Sequence, residues 1–264
     1  MASESPFRAD LNQGSVAIVT GGGTGIGRAI ALGLARTGAR VAVCGRRPEP
    51  LAAVAAEIAA RGGECLGERC DIREPAEVAR FVAAVRERFG AIDALVNNAG
   101  GQRPYLAAEM PLEHFEKVVR NNLLGTFLMT QTVAREAMIP QRRGAVVNII
   151  AQIARGFPGM AHTGAARAGV DNLTKSLAVE WARHGIRVNA IAPGTIRSSG
   201  TDRYPPALIE AARRAIPLKR LGAPEDVAHL AVFLVSPAAG FLTGATIPVD
   251  GGGSLWGDVF GIPD

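Results

Sequence analysis

Val16-Ala-Ile-Val-Thr-Gly-Gly-Gly-Thr-Gly-Ile-Gly27 decides the fold. A β-branched run passes through Thr20 into a glycine cluster, and an apolar helical pattern opens at Gly25. The stretch predicts a strand over Val16–Thr20, a tight turn, and a helix over Gly25–Thr37. The same alternation repeats outward from it. Strands are expected at Arg40–Cys44, Cys65–Cys70, Ile92–Val96, Ala145–Ile150, Arg187–Ile191 and Ala245–Val249. Between them lie helical patterns at Pro48–Arg61, Pro75–Phe89, Leu112–Met138, Ala161–His184, Leu208–Ala215 and Pro224–Val235, with an interruption expected near Asn121-Asn122. Strands that are apolar throughout, alternating with helices, predict a parallel sheet covered on both faces, a doubly wound α/β fold. Without linker or repeat, residues 13–264 read as a single domain behind a flexible arm, 1–12.

Composition narrows the partners. The chain has 264 residues, 48% hydrophobic, with 32 glycines and a net charge of +5. Its basic residues form no long block and aromatics are only 5%, which argues against nucleic acid and for a small anionic ligand. Cys44, Cys65 and Cys70 fit neither a disulfide set nor a metal spacing and read as buried free thiols, with no metal expected. No secretory signal, membrane-length apolar run or peroxisomal address (the last residues are Gly-Ile-Pro-Asp264) is apparent, so a cytoplasmic protein is expected.

A glycine turn between a first strand and its helix suits a dinucleotide pyrophosphate, which backbone amides and the helix N-terminus attract. Gly21, Gly25 and Gly27 are the backbone-critical positions, and Thr24 and Ile26 offer main-chain contacts. The second strand runs into Cys44-Gly-Arg-Arg47, where an acidic residue would bind the ribose diol of NAD. Gly45 leaves room there and Arg46, beside Arg47, offers a planar donor fork to a 2′-phosphate, so NADP(H) is expected. Asp71-Ile72 and Asn97-Asn98-Ala99-Gly100 follow later strands at the ligand-binding edge; Asp71 is a candidate acceptor for an adenine amino group.

Taken together, Thr20–Gly27, Asn97–Gly100, Asn122 within Asn-Asn-Leu-Leu-Gly125 and Pro193-Gly194 resemble the short-chain dehydrogenase/reductase family over essentially the whole chain. The resemblance implies a seven-stranded Rossmann-type sheet, cofactor binding at Asn98 and Gly100, and nicotinamide contacts from the Pro193–Ile196 backbone. It also implies a substrate lid over roughly 197–218, and a homotetramer built on the helices at 112–138 and 161–184.

That family's alcohol dehydrogenases carry Tyr-x-x-x-Lys on one helix face. The matching positions here are Thr163 and Arg167, and the usual Ser of the fifth-strand end is missing from Ile149-Ile-Ala-Gln152. A threonine hydroxyl does not ionise near neutrality and an arginine stays charged, so the proton relay is gone. Reduction of an enoyl thioester needs donors on an enolate oxygen rather than a titrating acid; Thr163, Gln152, Arg167 and Asn122 are the catalytic candidates. A narrower resemblance agrees. His162-Thr-Gly-Ala-Ala-Arg-Ala-Gly-Val170, Asn172-Leu-Thr-Lys-Ser-Leu-Ala178, Glu180-Trp181, Val147–Ile150 and Gly100–Gln102 look like the peroxisomal trans-2-enoyl-CoA reductase branch. That branch has an aromatic residue at the position of Asp171. The mitochondrial 2,4-dienoyl-CoA reductase is more distantly similar; its fifth-strand-loop Tyr falls on Gln152.

The expectation is an NADPH-dependent reductase of an acyl-CoA thioester. A dienoyl-CoA reductase, an atypical carbonyl reductase and a catalytically silent NADP(H)-binding subunit remain the alternatives. His162 as a proton shuttle, Asp171 paired with Arg167, Tyr105 or Tyr204 reaching the substrate, and Arg213, Arg214, Lys219 and Arg220 meeting CoA phosphates are further candidates.

Overall fold

The computed structural model describes residues 6–197 and 205–255. Its sheet is seven-stranded and parallel, in the order β3-β2-β1-β4-β5-β6-β7. The strands are β1 Val16–Thr20, β2 Arg40–Gly45, β3 Cys65–Arg69, β4 Ala94–Asn97, β5 Gly144–Ile149, β6 Ile186–Pro193 and β7 Thr246–Val249. Helices α1 Gly25–Arg36, α2 Pro48–Ala59 and α9 Pro224–Val235 cover one face. Helices α3 Pro75–Phe89, α5 Gly125–Val133 and α7 Ala161–Ala182 cover the other, with α4 Leu112–Val119 preceding α5 and the single turn α6 Ile139–Gln141 following it. Helix α8 Pro206–Ala215 lies in the expected lid region, of which 198–204, with Tyr204, is outside the described residues.

Alternation within β1 explains the two layers. Ala17 and Val19 pack with α1 and α9, whereas Val16 and Ile18 pack with α3 and α5. Both sets are fully buried, as a central parallel strand requires. The strand order reverses between β1 and β4, and their carboxyl ends open the crevice where such sheets bind ligands.

Two expectations are corrected. The described part of the N-terminal arm is docked rather than loose. Asn12 is buried, donating from Nδ2 to Thr37 Oγ1 (3.0 Å) and from its amide to Thr37 O (2.8 Å), while Phe7 and Leu11 pack on the core. The helix at 112–138 is interrupted twice, by π turns at Arg120–Leu124 and Ala134–Met138. Cys44, Cys65 and Cys70 are free; contact with Cys70 and burial push the Cys44 thiol up, and burial pushes Cys65 up to about 11, so both stay protonated. No described helix is long and apolar enough to cross a membrane.

Candidate active site

The glycine turn is built by close approach. Gly21 sits at φ +63° and Gly25 at φ +53°, and a Cβ on Gly27 would lie 2.3 Å from Gly21 O and 2.4 Å from Asn98 Nδ2. Asn98 holds the turn by donating to Thr20 O (3.0 Å) and Gly21 O (3.2 Å). Thr24 is extended and makes no side-chain cap, which leaves the first amides of α1 open to a ligand.

A cavity of about 650 Å³ runs from this turn along the end of β2, its wall including Thr24, Ile26, Gly45, Arg46, Arg47 and Ile72. Asp71 and Gly100 line it too. Arg46 and Arg47 are exposed and make no hydrogen bond or ion pair among the described residues. The space, the bare amides and two uncommitted guanidinium groups fit an adenosine phosphate. Asp71 is otherwise engaged: Arg73 donates to both its oxygens (2.9 and 2.5 Å) and holds its carboxyl below the usual range. The adenine role expected of Asp71 therefore meets competition from a residue that sequence reasoning missed, although Arg73 two positions on is within an Asx-type turn's reach.

The crevice continues past Ile26 and Asn98, which line both halves, into a second cavity of about 890 Å³. Arg167, Gln152, Pro193, Gly194 and Ile196 meet there, opposite Phe157 and Met160 and below Ala212 and Ile216 of the lid region. Arg167 is buried, only 8% exposed, and has no hydrogen-bond or ion-pair partner among the described residues. Burial pushes its guanidinium down to about 10, still charged at neutral pH. It lies against Gly100, where an added Cβ would stand 2.3 Å from Arg167 Nη2 and 2.6 Å from Asn122 Oδ1.

Other candidates are placed differently. Asn122 is fully buried and spends its amide on the backbone of Gly101, accepting at 3.0 Å and donating at 2.8 Å. It positions the loop after β4 rather than facing the crevice. Thr163 is also buried and is not on the crevice wall; its hydroxyl lies 3.4 Å from His162 Nδ1. Gln152 is on the wall, with Oε1 accepting from Ala154 N (2.9 Å) and Nε2 directed at Asp250 Oδ2 (3.3 Å), which leaves one amide proton for a ligand. Asp171 pairs with Lys175 and Thr246, not Arg167. Arg213 and Arg220 are paired with Glu210 and Asp226 and are not on the crevice wall; Arg103, which the sequence reading passed over, is on it and makes no hydrogen bond or ion pair among the described residues. Among the described residues no three His, Cys, Asp or Glu side chains stand close enough to hold a metal.

A doubly wound parallel sheet with this glycine turn and crevice places the chain in the short-chain dehydrogenase/reductase superfamily of oxidoreductases, whose members bind a nicotinamide cofactor. The family model described as enoyl-(acyl carrier protein) reductase matches residues 21–254. The chain is 42% identical over 240 residues to a 3-oxoacyl-(acyl-carrier-protein) reductase of Synechocystis sp., covering 90% of this chain and 96% of that one. A citronellol catabolism dehydrogenase, AtuB, of Pseudomonas aeruginosa PAO1 superposes with a TM-score of 0.86 at 44% identity, covering 96% of this chain and all of that one. A short-chain type dehydrogenase/reductase from Mycobacterium marinum gives 0.88 at 37% identity, over 94% of this chain and 99% of the other.

Proposed function

We propose that the protein is an NADPH-dependent reductase of the 2,3 double bond of an enoyl thioester, with an acyl-CoA as substrate. The observation that carries this reading is Arg167: a buried cation with no hydrogen-bond or ion-pair partner among the described residues, facing the crevice on the helix where a proton-donating tyrosine and its lysine would stand. Fixed positive charge stabilises an anion that forms during reaction but cannot deliver a proton. An enolate meets that description. The relatives named as 3-oxoacyl reductases favour a ketone instead, and the missing tyrosine is what separates this chain from that chemistry.

Bound in the crevice, the cofactor supplies hydride to Cβ. Arg46 and Arg47 hold its 2′-phosphate, the turn at Gly21–Gly27 its pyrophosphate, and Asn98, Gly100 and Pro193–Ile196 the nicotinamide end. Arg167 binds ribose hydroxyls and lends its charge to the thioester oxygen, where the free amide proton of Gln152 serves as the second donor. Phe157, Met160, Ala215 and Ile216 offer an apolar wall to the acyl chain, and Arg103 a cation to the thioester's anionic carrier. A homotetramer is part of the proposal: Leu124 (54% exposed), Phe127 (37%) and Val179 (81%) leave apolar surface on the two long helices, and light scattering tests the mass.

The deciding assay follows NADPH oxidation with crotonyl-CoA, longer enoyl-CoA esters, a dienoyl-CoA and simple ketones. Oxidation with the enoyl esters and none with ketones supports the reading. NADPH binding without turnover on any substrate refutes it in favour of a silent subunit.

A further inference from the structure

The cofactor cavity sets an anion among its cations. Asp71 is buried on the wall that also holds Arg46 and Arg47, both of them without a hydrogen-bond or ion-pair partner among the described residues. Adjacent strands bring these residues together. Gly45 stands opposite Arg69 in the β2–β3 register, and Cys70 N donates to Gly45 O at 2.9 Å. Continued by one residue, that register sets Arg46 beside Cys70 and next to Asp71, on strands about 4.8 Å apart. A buried carboxylate so close to a free guanidinium would ordinarily capture it.

Here Arg46 stays uncommitted because Arg73 has taken the carboxylate. Asp71 Oδ1 accepts from Arg73 N (3.1 Å) and Nε (2.9 Å), and Oδ2 accepts from Nη2 (2.5 Å). These bonds fill three of the roughly four acceptor sites of a carboxylate. Arg73 itself is not on the cavity wall. Its hydrogen bonds, with a smaller contribution from the charge of Arg46, hold the Asp71 carboxyl below the usual range, so the group is an anion at neutral pH. The Asp71 backbone is fixed separately. Its amide donates to Glu77 Oε2 at 2.9 Å, and Arg69 Nη1 donates to both oxygens of Glu77 at 2.9 Å. The Arg73 side chain is therefore not what shapes the strand end.

We propose that Arg73 is a positioning residue for cofactor selection: by occupying Asp71 it keeps Arg46 free for the 2′-phosphate that separates NADPH from NADH. The inference rests on the NADP(H) reading of the cavity and is independent of which substrate is reduced. Without the Arg73 guanidinium, Asp71 and Arg46 pair across the strand ends, and that pair must break before a 2′-phosphate can bind. Arg47 remains available, so the preference for NADPH is reduced rather than abolished. NADH asks nothing of Arg46 and binds as before.

Full-length R73A, D71N and the R73A/D71N double variant are titrated calorimetrically with NADPH and with NADH, with melting recorded alongside. Both cofactors carry the same adenine, so any change at an adenine contact of Asp71 cancels in the ratio of the two Kd values. R73A is expected to reduce the parent's preference for NADPH by roughly 5–30-fold, between the worth of an exposed ion pair and that of a charge-assisted hydrogen bond. In the D71N background no carboxylate is left to draw Arg46 away, and the same substitution should change the preference by less than about twofold. R73Q takes the place of R73A if the alanine protein does not fold. Loss of an ordinary structural bond would weaken both cofactors alike. Loss of a distant positive charge would lower the preference equally with and without Asp71. Either result overturns the inference, as does an R73A protein whose preference stays within about twofold of the parent's. A parent that binds NADPH and NADH equally refutes the NADP(H) reading and the inference with it. A parent that prefers NADPH, with R73A unchanged, refutes the inference alone.

Discussion

Replacing Arg167 by Met should stabilise the ligand-free protein while weakening its response to cofactor. Burial lowers the guanidinium well below its ordinary range, to about 10. At about 1.4 kcal/mol for each tenfold change in protonation, holding that charge beside the crevice costs the fold on the order of 3 kcal/mol. The folded protein binds this proton less tightly than the unfolded chain does. The penalty is therefore complete below about pH 10 and fades only as the pH climbs from there toward the ordinary guanidinium range, so a melt near neutrality reads all of it. Met fills similar space without a charge, and replacing buried charges by hydrophobic groups gains roughly 1–4 kcal/mol in other proteins. For a chain of this size that is a rise of roughly 2–16 °C in Tm. The parent should gain stability from saturating NADPH, about 2.7 kcal/mol at a hundredfold excess over Kd, and R167M should gain clearly less. Scanning calorimetry with and without NADPH measures both shifts. An R167M protein that melts below the parent without ligand refutes the reasoning, because it would mean that the charge already has a partner in the fold.

How much of this was legible from sequence differs residue by residue. Helix α3 begins and ends where its pattern predicts, because Pro75 starts it and Gly90, at φ +80°, stops it. Strand β4 starts two residues later than its apolar run suggests: Ile92 is buried, but its amide and carbonyl pair with the side chain of Gln141 instead of a neighbouring strand. Asn121-Asn122 signalled an interruption, and Asn122 explains it by reaching back to Gly101; nothing in Ala134–Met138 advertises the second π turn. Asn97 belongs to the motif at the crevice, yet it points the other way. Its amide donates to Thr130 and Asn148, and Asn148 in turn donates to Thr174, a buried polar ladder that local pattern cannot show. Four-residue spacing correctly put Thr163 and Arg167 on one side of α7, but not at one depth. Only the packed neighbours decide which of the two meets the ligand.

Three further substitutions test the site. Arg46→Ala should weaken NADPH binding by about 1.5–3 kcal/mol, roughly 10–150-fold, and leave NADH nearly unchanged in titration calorimetry; equal affinity of the parent for both cofactors removes the basis for the assignment. Asn122→Ala frees both backbone groups of Gly101 and should cost about 1–3 kcal/mol in denaturant unfolding, with NADPH affinity falling as the loop loosens; unchanged stability would show that the clamp carries no weight. Thr163→Val separates the two ways of reading α7. If the hydroxyl donates to the enolate, its loss should cost turnover roughly 10²–10³-fold, as for an oxyanion donor. The structure predicts otherwise: the side chain is 1% exposed and off the crevice wall, its oxygen has among the described residues only the long contact to His162, and valine nearly matches its shape. Turnover within about threefold of the parent is therefore expected. The amide bond that holds His162 is untouched by the substitution, so a large loss in kcat with normal NADPH binding would point to the hydroxyl itself and return Thr163 to the chemistry.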